Sequence, residues 1–81
     1  MQVAVDISLY PLDENFIPPI KNVIERLSQH EGVEVECNRM STQLRGDFDV
    51  VVPALTAEIR TTFEAVPKAV FAIKILNNPI N

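Results

Sequence analysis

The sequence predicts an α+β domain in which two helices cover one face of a four-stranded antiparallel sheet. Three observations carry that expectation. Near the start Val3, Val5, Ile7 and Leu9 alternate with Ala4, Asp6, Ser8 and Tyr10, the period-two pattern of a half-buried strand. Two later stretches repeat apolar residues every three or four positions, as helices with one buried face do. The elements then read in the order β-α-β-β-α-β with short joins.

Each element follows from local chemistry. Pro11 ends the first strand. Asp13, Glu14 and Asn15 come next and offer capping side chains, and the Pro18-Pro19 pair suits the first turn of a helix. In that helix Ile20, Val23, Ile24 and Leu27 make one apolar stripe, while Lys21, Asn22, Glu25 and Arg26 stay polar. Gly32, after His30-Glu31, reads as the stop. Val33, Val35 and Cys37 then alternate with Glu34, Glu36 and Asn38 as a second strand, with Cys37 on the apolar side as a small core residue. Met40-Ser41-Thr42 turns the chain, and Gln43-Leu44-Arg45-Gly46 returns as a short third strand.

Asp47 or Asp49 caps the second helix. Its expected apolar face is Phe48, Val52, Leu55, Ile59, Phe63 and Val66, spaced by 4, 3, 4, 4 and 3 residues. Val50-Val51-Val52 favours a strand and Pro53 removes a helix hydrogen bond outside the first turn, so the start of this helix stays open. Ala69–Leu76 is the last strand, and Asn77–Asn81 a tail.

The simplest packing of these elements is the ferredoxin-like sandwich, a single domain over residues 1–81 with its first and third strands in the centre. Two helices cover only one side of the sheet. The other side shows Ala4, Asp6, Ser8 and Tyr10, then Glu34, Glu36 and Asn38, then Ala72 and Lys74. Such a mixed surface suits a ligand, a second subunit, or both.

Composition narrows the function classes. At 81 residues a chain buries roughly 60–65% of its unfolded surface, a thin core that gains from outside support. A single cysteine rules out an internal disulfide, and no Cys/His cluster holds a structural metal, which leaves homo-oligomerisation. Seven basic against eleven acidic side chains, a net charge of −4, argue against general affinity for nucleic acid or anionic membrane. No apolar run reaches the ~20 residues of a membrane span, and Asp6 interrupts the apolar start with no basic leader before it. An unpaired thiol without an export signal points to the cytoplasm.

Few side chains suggest catalysis. His30 at a helix end reads as a partner of the helix dipole. Asp6 on a central strand needs a partner, with Lys74 the structural choice and a cationic ligand the functional one. Gly32 and Gly46 fit no phosphate-binding loop, and no HExxH or CxxC occurs. The third strand lacks the aromatics of an RNA-binding sheet. No nucleophile has a neighbouring base, so an enzyme is not expected and no cofactor is implied.

The chain resembles the thiamine-binding protein family, which includes the YkoF-like proteins that bind hydroxymethylpyrimidine and thiamine. The resemblance rests on Val5-Asp6-Ile7-Ser8-Leu9-Tyr10-Pro11-Leu12, on Met40-Ser41-Thr42 followed by Gly46-Asp47-Phe48-Asp49, and on Ala72-Ile73-Lys74-Ile75. It implies a ferredoxin-like fold, assembly into dimers or tetramers through the open sheets, and a binding role in vitamin salvage or uptake. Hydroxyls, an amide and a carboxylate match the donors and acceptors of a 4-aminopyrimidine, and a carboxylate balances a thiazolium. The ligand-binding residues it suggests are Asp6, Ser8, Asn38, Met40 and Thr42, with Tyr10 as a wall. Met40 and Thr42 come from the shared motif, and Asn38 from proximity to it. Pro18-Pro19 and Pro53 depart from the family pattern. Two rivals stand beside this reading. One is an assembly module without a ligand. The other is a hydrolase of acylphosphatase type using Arg39 or Arg45 with Asn38.

Overall fold

The computed structural model describes residues 1–12 and 14–79. Its elements are β1 (Gln2–Pro11), α1 (Ile17–Ser28), β2 (Glu34–Cys37), β3 (Thr42–Asp47), α2 (Phe48–Ala65) and β4 (Ala69–Asn77). The four strands form one antiparallel sheet in the order β2-β3-β1-β4, with β1 and β3 central as expected. The architecture is the ferredoxin-like α+β sandwich.

The alternation of β1 sorts its side chains as the sequence implied. Val3, Val5, Ile7 and Leu9 are buried, and with Leu44 of β3 they form the sheet's share of the core. Val23 and Leu27 of α1 close over them, joined by Val51, Ala54 and Leu55 of α2.

The starts of the two helices use different devices. Phe16 holds the N-cap of α1 without a side-chain hydrogen bond, and prolines fill the first turn. This corrects the expectation of a polar cap from Glu14 or Asn15, while Asp13 lies outside the described residues. Pro18 and Pro19 lack amide protons, so part of the cap's usual task is absent. In α2 Asp47 is the cap, its Oδ2 accepting from the Asp49 amide at 3.1 Å. Pro53 sits inside α2 and has no amide proton to donate to the Asp49 carbonyl four residues before it.

The stop of α1 comes earlier than expected. The helix ends at Ser28, and Gly32, with φ +86°, turns the chain toward β2. Gly46 is demanded by close approach: a Cβ there would lie 2.4 Å from the Gly32 carbonyl oxygen and 2.9 Å from Val51 Cγ2.

The buried stripe of α2 differs from the expected one. Val51, Ala54, Leu55, Glu58 and Thr62 are buried, while Phe48 and Phe63 are exposed. Three consecutive valines let the apolar pattern be drawn along more than one face, and α1 decides which face turns inward. Arg26 of α1 reaches across with Nε donating to Glu58 Oε1 at 2.5 Å and Nη2 donating to Thr62 Oγ1 at 2.9 Å. Phe63 still packs on Phe71 of β4, ring centroids 5.6 Å apart. Among the described residues no helix is long and apolar enough to cross a membrane.

Candidate ligand-binding site

The β2–β3 turn is built by Asn38. Its backbone amide donates to the Ser41 carbonyl at 3.0 Å, and its Oδ1 accepts from the amides of Met40 at 2.8 Å and Ser41 at 3.0 Å. Three hydrogen bonds on one residue fix the turn and hold Ser41 and Thr42 in place. Ser41 Oγ then donates to Asp6 Oδ1 at 2.5 Å. The turn is thereby tied to the middle of β1, 35 residues away in sequence.

Between this turn, β1 and α1 lies a cavity of about 270 Å³. Helix α1 supplies Ile20, Val23, Ile24 and Leu27, β1 supplies residues 7–10, the turn supplies residues 37–42, and β4 adds Phe71. Most of the wall is aliphatic or aromatic, with amide and hydroxyl groups confined to the β1 and turn side. That is the usual make-up of a small-molecule site. Exposed apolar residues surround this end of the fold: Tyr10, Leu12, Phe16, Ile17 and Met40, the last 87% exposed.

The six residues singled out by sequence fall as follows. Ser8, Tyr10, Asn38, Met40 and Thr42 line the cavity. Asp6 lines a groove on the helix-free face and meets the cavity only through Ser41. That groove, about 510 Å³, also takes in Glu36, Gln43, Arg45, Lys74 and Leu76. Lys74 stands opposite Asp6 in the β1–β4 register, yet the carboxylate is held by the Ser41 hydroxyl. Arg39 borders the cavity and Arg45 the opposite groove, so the two arginines do not converge on one phosphate site.

Cys37 corrects the expectation of a core thiol. Burial falls from Val33, buried just before β2, through Val35, half-buried, to Cys37, exposed. The strand outruns its helix cover, and the Cys37 Sγ sits 3.6 Å from Thr42 Oγ1 at the cavity. A hydroxyl is not a base, so this contact does not activate the thiol.

Sequence reasoning missed the tie between the helices. His30 Nε2 lies 2.8 Å from Glu58 Oε2, opposite the Arg26 contact. Burial alone pushes the Glu58 carboxyl up. Hydrogen bonds from His30 and Arg26, with the charges of both, more than offset it and hold the group below its ordinary range. His30 is thus structural, as expected, but through a carboxylate on α2 in addition to its place at a helix end. The available signal was the four-residue spacing of Arg26 and His30 matched by that of Glu58 and Thr62. Among the described residues no cluster of His, Cys, Asp or Glu is arranged to hold a metal ion.

Comparison with known proteins adds to this geometry. The model of the family described as YKOF-related matches residues 2–79. The chain is similar to the solved structure of a hypothetical protein from Methanocaldococcus jannascii, at 27% identity and TM-score 0.83, with 99% of this chain and 84% of that one covered. A Streptococcus pneumoniae protein shares the fold at 23% identity and TM-score 0.89, covering 99% and 90%. So does a candidate thiamine biosynthesis/salvage protein from Thermotoga maritima, at 22% identity and TM-score 0.81, covering 93% and 82%. No curated protein matches the chain.

Proposed function

The chain belongs to the YkoF-related family, and from that premise we propose that it is a non-enzymatic binding protein for thiamine or its hydroxymethylpyrimidine precursor, serving salvage or uptake. The observation that carries this reading is the cavity beside the Met40-Ser41-Thr42 turn, apolar on the α1 side and edged by amide and hydroxyl groups on the other. A flat aminopyrimidine has the matching character, with two apolar faces and a polar rim. The description of the Thermotoga neighbour points the same way.

A binding role is supported over a catalytic one by how the reactive groups are engaged. Glu58 is bound by both Arg26 and His30 at the helix seam, and none of the three lines the cavity. The thiol at the cavity has the Thr42 hydroxyl as its hydrogen-bonding neighbour.

The helix-free groove is assigned to homo-oligomer contact. Asp6 and Glu36 stand there beside Arg45 and Lys74, and a patch holding both signs of charge can face its own copy across a twofold axis. Calorimetric titration of the folded oligomer with thiamine and with hydroxymethylpyrimidine tests the reading. Saturable heat from either ligand is expected, and no heat at millimolar ligand contradicts it.

A further inference from the structure

Resting on the binding role proposed above, we infer that the cavity selects an uncharged single heteroaromatic ring and disfavours a heteroaromatic cation, with Arg39 as the residue that sets this preference. Size is the first argument. At about 270 Å³ the space lies just under the ~300–1,000 Å³ of sites for drug-sized ligands. One substituted ring fills the inner part of such a space, and a second linked ring lies toward its open side, where the exposed Arg39 lines it.

Charge is the second argument. The acidic side chains Asp6, on the central β1, and Glu36, on the edge strand β2, line the groove on the helix-free face. Asp6 is engaged by the Ser41 hydroxyl. The one charged residue on the cavity's own lining is Arg39, exposed and, among the described residues, in no ion pair with a carboxylate. A thiazolium left at the mouth meets this guanidinium. The net charge of −4 draws cations to the protein in general, but beyond a Debye length of ~8 Å salt screens it, and the nearest fixed charge decides.

The test compares hydroxymethylpyrimidine with thiamine by calorimetry on the wild-type protein and on Arg39→Glu and Arg39→Gln, at physiological and at high salt. Arg39 is exposed, so both variants should fold, with melting temperatures as the check. The expected result is a wild-type preference for the pyrimidine of about five-fold or more at physiological salt, where the net charge is screened. That preference should narrow as salt rises, shrink in Arg39→Gln and shrink further or invert in Arg39→Glu. Thiamine bound as tightly as the pyrimidine, or more tightly, by wild-type protein overturns this inference and leaves the binding role standing. So does a preference that both variants keep unchanged. Absence of binding by either compound removes the binding role and this inference together.

Discussion

The two sides of β1 differ in the space they border and in the charge that faces it. On the helix side Ile7 and Leu9 look into a small cavity closed by α1, with an aliphatic wall and Arg39 at its edge. On the other side Asp6 opens onto a groove of about 510 Å³ where acidic and basic groups are mixed. The period-two alternation of β1 turns Asp6 to the groove and Ile7 and Leu9 to the helices. Ser8 and Tyr10 share the parity of Asp6 but border the cavity, where the strand runs past the β2–β3 turn. One hydrogen bond, from Ser41 at the cavity to Asp6 at the groove, crosses between them. A ligand site and an assembly surface can therefore share ten residues of chain without sharing chemistry.

The largest expected break of this contrast comes from the helix side. Leu27 is fully buried and forms part of the cavity wall. Leu27→Ala should destabilise the fold by about 2–5 kcal/mol, since the hole it leaves merges with space already present and does not collapse. Urea unfolding with an unchanged slope and a lower midpoint would record it.

Glu58→Gln comes next, at about 2 kcal/mol, because Arg26 and His30 then face an amide at a seam where the Glu58 side chain is only 11% exposed. The same residue gives a pH dependence. Its folded-state pKa is depressed, so its stabilisation is complete above the ordinary glutamate range and is lost as pH falls through the depressed value. The variant should lose that part of the acid sensitivity, as melting temperatures measured from neutral to acid pH would show.

How much of this contrast was legible in sequence depends on whether neighbours along the chain decide it. The sides of β1 were legible because Val3 to Tyr10 alternate without a slip, and the central place of β1 and β3 because right-handed crossovers of a β-α-β-β-α-β chain put them there. An aspartate cap at residue 47 or 49 was legible because capping is a local matter, and the structure makes Asp47 the cap with the Asp49 amide as its donor. The buried face of α2 was not, because Arg26 pulls Glu58 and Thr62 inward from another helix. Cys37 was misplaced because strand parity says which side a residue faces and not where the covering helix ends. Five of the six named site residues border the cavity, but the cavity itself needs α1 to sit over the turn, which no local pattern encodes.

Smaller effects sharpen the contrast at its crossing point. Asp6→Asn replaces a charge-assisted acceptor with a neutral one and should cost about 1 kcal/mol. It should also loosen the turn that holds Ser41 and Thr42, seen as faster amide hydrogen exchange at residues 40–42. The smallest change in folding stability, within about 0.5 kcal/mol, is expected for Lys74→Ala on the groove. Its effect should appear instead in self-association, which should become weaker and less sensitive to salt by sedimentation.

The central claim is that ligand binding belongs to the end of β1 beside α1 and the β2–β3 turn, and assembly to the groove around Asp6. Amide chemical shifts recorded during titration with hydroxymethylpyrimidine test it most directly. The account predicts perturbations centred on residues 7–10, 20–27 and 37–42, with residues 34–36, 43–45 and 74–76 unmoved. Perturbations confined to the second group would contradict it.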